Sequence, residues 1–327
     1  MPKLLDSFTL ALISTVALAS LLPCSGEAAQ IFNLVTNLAI GLLFFLHGAK
    51  LSREAVLAGA GHWRLHLTVL ACTFALFPLL GLLLKPVLTP LVTPELYLGV
   101  LYLCMLPSTV QSSIAFTSMA QGNVPAAICS ATASNLLGIF LTPLLVGWLI
   151  VDHGGAGQSM GSALDIVYQL LLPFVAGQIA RRWIGGWVDQ HKAVLKYVDQ
   201  GSILMVVYTA FSAAVISGLW RQTPPAALAG LLVVNGVLLG LLLAITTLPG
   251  RKLGFNHEDR ITILFCGSKK SLASGVPMAK VLFAGHAIGA IVLPLMLFHQ
   301  IQLMVCAMLA QRYRSRQMRS ARAGTRA

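Results

Sequence analysis

Apolar residues in this chain form a series of long runs, each close to the length of a membrane helix, separated by short polar connections. A bilayer core about 30 Å thick is crossed by ~20 helical residues. Strands of a membrane barrel would give short alternating segments, which this chain does not show. The pattern predicts an all-α polytopic membrane protein with ten spans, at about 7–23, 30–49, 65–84, 95–121, 124–150, 163–182, 200–220, 226–249, 260–283 and 286–311.

Basic residues distinguish the two sides of this predicted membrane domain. Seventeen of the 22 Lys and Arg residues lie in the N-terminus, the even-numbered connections and the C-terminal segment, whereas the odd-numbered connections carry only Lys85 and Arg221. Positive residues are retained on the cytoplasmic side of a membrane. The asymmetry therefore predicts a multi-pass protein of the bacterial inner (plasma) membrane, with an even number of spans and both termini in the cytoplasm.

The basic segment 312–327 has two interpretations. Its six arginines are typical of a partly disordered anchor on an anionic lipid surface, where each basic residue contributes about 1 kcal/mol. The alternative is a recruitment motif for an anionic partner. The lipid interpretation is favoured because it needs no partner beyond the bilayer.

Composition excludes several other classes of protein. The chain is 57% hydrophobic and 10% charged, whereas a soluble domain has about 25% charged residues. The net charge of +12 lies at helix ends rather than on one soluble face, so we expect no nucleic-acid partner. The six cysteines are dispersed without a CxxC motif, which argues against a disulfide or metal framework. Neither an HExxH nor a GxxxxGK[ST] motif occurs, so we expect neither a metallohydrolase nor an ATP-driven pump.

Two of the predicted spans are interrupted. In the fourth, Pro107 precedes a segment with seven polar residues in eleven positions. Proline removes a backbone donor and clashes with the preceding turn, so the helix should break at or just before Ser108. In the ninth, a break is expected at Cys266–Gly267–Ser268. Unwound backbone at membrane depth occurs only where it is buried in protein or lines a wet cavity.

These two breaks occupy equivalent positions when the ten spans are divided into two sets of five. Because five is odd, the second set enters the membrane in the opposite orientation, which is the inverted-repeat plan of secondary transporters. The sequence thus predicts a first repeat over 1–150, a second over 160–311 and a basic cytoplasmic tail over 312–327. The alternative for the fourth span is a packing seam of small polar residues.

Lys269 and Lys270 stand in the middle of the ninth span. A lysine at membrane depth costs roughly 2.5–3.5 kcal/mol on insertion scales, so it needs a partner, a cavity or a function. One of them could fill a cation pocket as a tethered ammonium. A buried lysine could instead release and carry a proton, and either could attract an anionic substrate. The remaining alternative is a short solvated loop.

The predicted site combines both breaks with two polar residues of the tenth span. His299 is interpreted either as a proton relay or as a helix–helix hydrogen bond. We expect no catalytic residue and no metal ligand. The predicted binding residues are Ser108, Thr109, Gln111, Ser112, Ser113, Ser268, Lys269, Lys270, Ser271, His299 and Gln300.

Five stretches of the chain resemble a known family: LLFFLHGAKLSREA (42–55), GHWRLHL (61–67), LPSTVQSSIAFTSMAQGNVPAA (106–127), ITILFCGSKKSLASGVPMA (261–279) and LPLMLFHQIQLMV (293–305). Through nearly its whole length the chain is similar to the bile acid:sodium symporter superfamily, in its SBF-like branch. That branch includes bacterial sodium-dependent transporters and the seventh vertebrate member of solute carrier family 10. The resemblance implies core and panel domains, with helices four and nine crossing in the core.

The resemblance also implies where sodium would bind. The two sodium ions of the bile-acid branch have ligands whose positions fall here on Ser113, Ile114, Ala127, Ala131, Lys269, Lys270 and a position near Phe265. Each of the ten acidic residues lies at the end of a predicted span or in a loop, and two ammonium groups repel a cation at close range. The residues therefore conflict with the sodium coupling that the family implies.

Together these features predict a secondary active transporter for a small organic anion, working by alternating access at the helix 4/helix 9 crossover. We expect no cofactor, with sodium in question. A sodium-independent or proton-coupled cycle, or a regulatory membrane protein that does not transport, are the alternatives. Substrate identity, transport direction and oligomeric state stay open.

Overall fold

The computed structural model describes residues 7–50, 60–151, 160–284 and 288–324, and within these ranges it contains helices and turns but no strand. The residues just after Lys50, most of the predicted connection 151–162 and the last three residues of the basic tail lie outside these ranges. The helices are α1 Ser7–Leu21, α2 Gly26–Lys50, α3 Trp63–Leu83, α4 Pro94–Met105, α5 Gln111–Met119, α6 Val124–Val146, α7 Met160–Gln190, α8 Lys192–Ile216, α9 Pro225–Lys252, α10 His257–Gly267, α11 Leu272–Leu282 and α12 Ile288–Gly324.

Six of the described helices are long and apolar enough to cross a membrane, namely α2, α3, α6, α8, α9 and α12. Large apolar side chains also cover much of the outer surface, as at Leu21, Leu38, Leu83, Leu172 and Trp183, each more than half exposed. A surface of this kind suits lipid rather than water. The predicted all-helical class with multiple apolar spans is confirmed.

Side-chain caps start the helices around both breaks. A polar side chain before each helix accepts a hydrogen bond from a backbone N–H of the first turn, which satisfies a donor that the helix itself cannot. The four capping residues are Thr93 before α4, Asn123 before α6, Asn256 before α10 and Ser271 before α11.

The structure corrects several predicted boundaries. α4 ends at Met105, because Leu106 precedes a proline and adopts an extended conformation (φ −76°, ψ 155°). α10 stays helical through Gly267, so the second break covers 268–271 and begins later than predicted. α12 continues to Gly324, so the basic segment extends a helix where partial disorder was expected.

Among the described helices, the most extensive contact joins α2 to α7, and two glycines make it possible. A Cβ atom at Gly48 would overlap the carbonyl oxygen of Phe174, and one at Gly177 would overlap the carbonyl oxygen of Phe45. Close backbone approach through small residues is a general mode of helix packing in membranes. α1 packs on α8 beside this pair, while α4, α6, α10, α11 and α12 pack together around the breaks.

We expect Gly177→Ala to destabilise the protein by about 1–3 kcal/mol, because the new methyl group overlaps backbone that cannot rotate away. Gly186→Ala, on the same helix with open space around the added atom, is the matched control and should raise stability by up to ~1 kcal/mol. Thermal unfolding of both variants in detergent measures the difference. Equal effects of the two substitutions would contradict the contact.

Candidate functional site

The two breaks contact each other directly. The Ser271 N–H donates to the Pro107 carbonyl oxygen at 2.8 Å. In the other direction, the Ser108 hydroxyl donates to the Cys266 carbonyl oxygen at 2.6 Å, and the Ser113 hydroxyl donates to the Phe265 carbonyl oxygen at 3.2 Å. Each break therefore supplies partners for backbone groups that the other leaves unpaired.

The carbonyls of residues 103–106, at the carboxyl end of α4, each accept a hydrogen bond. Cys104 and Leu106 accept from the Lys270 ammonium at 2.7 and 2.6 Å. Met105, between them, accepts from the Thr142 hydroxyl at 2.8 Å. The Leu103 carbonyl accepts the Leu106 N–H at 3.3 Å. The end of this half-helix is thus satisfied by Lys270, by Thr142 and by the N–H of its own next residue.

The helix that follows each broken span satisfies the backbone at the centre of that break. On α6, the Ser134 hydroxyl accepts from the Ser108 N–H at 3.0 Å, and the Asn135 amide donates to the Ser108 carbonyl oxygen at 2.6 Å. On α12, the Gln302 amide does both tasks for Lys270, accepting from its N–H at 3.0 Å and donating to its carbonyl oxygen at 2.9 Å. The two breaks are held in the same way.

The Lys270 side chain is fully buried at 0% exposure. Besides the two α4 carbonyls, its ammonium donates to the carbonyl oxygen of Thr73 on α3 at 2.7 Å, so all three N–H groups have partners. The ring of Phe77 lies 3.9 Å from the ammonium nitrogen, within the range of a cation–π contact.

Lys269 is equally buried but is held differently. Its ammonium donates to the Ser112 carbonyl oxygen at 2.8 Å, and it lies 3.9 Å from the centre of the Phe116 ring and 5.5 Å from that of Phe265. Within the described part of the chain, neither ammonium pairs with a carboxylate. The alternative of a solvated loop is wrong for both lysines.

A crevice opens beside the crossing, between the breaks and helices α2 and α8. It consists of two adjoining cavities of about 230 and 380 Å³. Both cavities are lined by His47, Val110, Gln111, Asn135, Asp199 and Ser274. Five of the predicted residues reach it: Thr109, Gln111, Ser112, Ser271 and His299.

The other predicted residues lie behind the crevice wall. Ser108, Ser113, Lys269 and Lys270 are buried in the crossing itself. The Ser268 hydroxyl donates to the Leu264 carbonyl oxygen of its own helix at 2.6 Å. Gln300 is half-buried and lines neither of the two cavities just described.

Four residues near the site were absent from the predicted set: His47, Asn135, Asp199 and Gln302. The polar residues Asn135 and Gln302 in apolar spans next to the breaks were the available signal, since such residues usually satisfy other polar groups. Asp199 was assigned to a span end, but α8 begins at Lys192 and carries Asp199 two turns inward.

Asp199 contributes a carboxylate to the lining of the crevice. One of its carboxylate oxygens pairs with the Lys50 ammonium at 2.5 Å. Its other oxygen is buried and finds no hydrogen-bond partner in the described ranges. Basic groups nevertheless predominate, since Lys50, Lys192 and Lys196 line the cavities together with Asp189 and Asp199.

Comparisons with known proteins find a matching family and several relatives. The sequence profile of the SBF-like CPA transporter family matches residues 6–315. An uncharacterized protein of Pseudomonas aeruginosa is 68% identical over 311 residues, which cover 95% of this chain and 93% of that protein. The candidate symporter YfeH of Escherichia coli (strain K12) is 58% identical over 315 residues, covering 95% and 94%. Sodium/bile acid cotransporter 7 of Rattus norvegicus is 28% identical over 286 residues, covering 86% and 83%.

We expect Gln302→Leu to destabilise the folded protein by about 2–4 kcal/mol. The substitution leaves the buried N–H and carbonyl of Lys270 unpaired, and each unsatisfied group costs about 1–3 kcal/mol. Gln311→Leu, at an exposed position on the same helix, is the control. Thermal unfolding in detergent compares the two proteins, and a Gln302 variant as stable as the control would show that the amide does not hold the break.

Proposed function

Because the chain belongs to the SBF-like CPA transporter family, we propose that it is a secondary active transporter that moves a small organic anion through the crossing of its two broken spans. The observation that carries this proposal is the meeting of the breaks beside a polar crevice. Unwound half-helix ends near the membrane midplane are where transporters of this plan bind substrates and ions. The proposed substrate-binding residues are the predicted ones that reach the crevice, Thr109, Gln111, Ser112, Ser271 and His299, together with Asn135 and Asp199. The other predicted residues would shape the crossing behind them.

We assign the chain ten spans in two inverted repeats, 1–150 and 160–311, followed by the tail 312–327. The packing supports this division, since α1 contacts α8 and α2 contacts α7. These are the pairs of first with seventh and second with sixth span, which exchange under a two-fold relation between repeats. Side chains of α6 bond the backbone of Ser108, and a side chain of α12 bonds the backbone of Lys270. These two sets of hydrogen bonds also occupy equivalent positions in the two repeats.

The crevice separates two groups of helices that would move against each other. α3 to α6 and α9 to α12 form the core group, which contains the crossing. α1, α2, α7 and α8 form the panel group, which is held together by the glycine contact at Gly48 and Gly177. Alternating access then consists of rocking or sliding the core against the panel, which exposes the crossing to each side in turn.

The charge of the crevice favours an anion. Lys50, Lys192 and Lys196 outnumber the two carboxylates at Asp189 and Asp199, and two histidines, His47 and His299, add further donors. Cationic groups at a cleft raise the local concentration of an anionic substrate. The side chains of Gln111 and Ser112, at the start of α5, also line the crevice.

Sodium coupling has little support at the crossing itself. Two buried ammonium groups stand at positions that the resemblance assigns to sodium ligands, and neither pairs with a carboxylate in the part of the chain that the structure describes. A cation brought to this place would be repelled. We therefore favour a sodium-independent or proton-coupled cycle over sodium symport. A regulatory protein that does not transport is the remaining alternative.

The site is tested by transport in proteoliposomes. We expect uptake of an organic anion that does not change when a sodium gradient is imposed. Lys269→Gln with Lys270→Asn should reduce uptake more than ~10-fold, a loss equivalent to about 1.4 kcal/mol, without creating sodium dependence. Lys85→Gln, which changes an exposed charge outside the crossing, is the control.

Strict sodium dependence of the unmodified protein, with saturable sodium binding, would refute the favoured coupling and return the protein to sodium symport. Absence of flux for every anion, with protein that is folded by thermal unfolding, would favour the regulatory alternative.

We propose that the protein lies in the bacterial inner membrane with both termini in the cytoplasm, because basic residues concentrate on that side. The natural Cys24 tests this orientation. It is partly exposed in the connection before α2, while the other five cysteines are buried. An impermeant maleimide added to spheroplasts should label Cys24. A Cys24→Ser protein with Ser315→Cys in the tail should label only after the membrane is opened, and the reverse pattern would invert the topology.

A further inference from the structure

Three backbone carbonyls converge on one point at the crossing. They belong to Thr73 on α3 and to Cys104 and Leu106 at the end of α4, and each lies 2.6–2.7 Å from the Lys270 ammonium nitrogen. Carbonyl oxygens gathered in this way are the usual protein ligands of hard cations. They belong to segments about thirty residues apart in the chain, so their convergence is a product of the tertiary fold.

The Thr73 carbonyl is available because of a local change of helix type. A π turn covers Cys72–Leu76, and the Phe77 N–H bonds the carbonyl of Cys72 instead of that of Thr73. The next possible donor in the π pattern is residue 78, a proline, which has no N–H. No helical donor is left for Thr73, and π turns of this kind recur at functional sites.

The two α4 carbonyls are available because of Pro107. The N–H of Ser108, which would close the helical bond to Cys104, donates to the Ser134 hydroxyl instead. Leu106 is extended, so its carbonyl leaves the helix axis and points to the same place. Both carbonyls also lie at the negative end of the α4 dipole, which favours a positive charge.

We propose that these three carbonyls form a monovalent-cation site that the protein fills permanently with the ammonium of Lys270. The ammonium directs one N–H to each carbonyl, and the Phe77 ring at 3.9 Å closes a further side. No direction is left for an external ligand. The Lys270 ammonium therefore takes the place of a bound cation and does not bind substrate.

Lys269 provides an internal comparison. It is the adjacent residue, equally buried, and also lies 3.9 Å from an aromatic ring, but it bonds one carbonyl, that of Ser112. Removing Lys270 should leave a vacant site with three oxygen ligands. Removing Lys269 should leave an apolar cavity with one.

The test is chemical rescue of purified Lys270→Ala protein, measured as its thermal midpoint in detergent. The substitution should lower the midpoint by on the order of 10 °C, since it leaves three buried carbonyl oxygens without donors. Propylammonium, which matches the deleted atoms, should restore much of this loss in a saturable manner. Sodium or potassium ions should do so in part. Tetramethylammonium at equal ionic strength, which has no N–H and exceeds the site in size, should have no effect.

The same salts applied to Lys269→Ala give the matched control, and there sodium and potassium should act no better than tetramethylammonium. Equal responses of Lys270→Ala to propylammonium and tetramethylammonium would overturn the proposal. If Lys270→Ala cannot be recovered, Lys270→Met, which keeps most of the side-chain volume, is measured instead. It should show the loss of stability without rescue, and a midpoint equal to that of the unmodified protein would also overturn the proposal. All readouts are independent of transport, so failure of the proposed function leaves this test intact.

Discussion

Unpaired peptide groups cannot be left inside a lipid bilayer, and this constraint determines how the centre of the molecule is built. Two spans stop being helical where water is absent, so their free N–H and carbonyl groups must find partners within the protein. The structure resolves this by bringing the two breaks together. The Ser271 N–H donates to the Pro107 carbonyl oxygen, and the Ser108 hydroxyl donates to the Cys266 carbonyl oxygen. Side chains on the neighbouring helices pair with backbone groups of Ser108 and Lys270; they are those of Ser134, Asn135 and Gln302.

The two lysines are part of the same solution. An isolated buried charge is costly, but the carboxyl end of α4 offers carbonyls that need donors and carry a partial negative charge. The Lys270 ammonium donates to these carbonyls, and they in turn stabilise its positive charge. Aromatic rings lie against both ammonium groups. The crossing is thereby a closely connected unit that also carries polar groups on its crevice side. For a transporter that moves one group of helices against another, such a unit keeps its geometry while its exposure changes.

Much of this could be predicted from the sequence. Pro107 followed by a polar segment predicted a break at or just before Ser108, three residues after the observed end of α4 at Met105, because the steric effect of proline on the preceding residue is local. The second break was predicted at Cys266–Gly267–Ser268, but the helix continues through Gly267 and the break covers 268–271. The position of Asp199 was not predictable in this way, because it depends on α8 starting at Lys192. Hydropathy detects the apolar part of a helix and misses polar turns that extend the helix beyond the membrane.

The sequence by itself determined the helical class, the number and order of apolar runs, the two breaks and the identity of the groups placed in them, because these follow from composition, periodicity and proline geometry along the chain. Only the tertiary structure decided which carbonyl receives which donor. Nothing in the local sequence joins Lys270 to Thr73 or Lys269 to Ser112, since those pairs are separated by more than 150 residues and meet only when the helices pack. The difference between two adjacent lysines, one enclosed by three carbonyls and the other bound to one, therefore arises from packing and not from the chain around them.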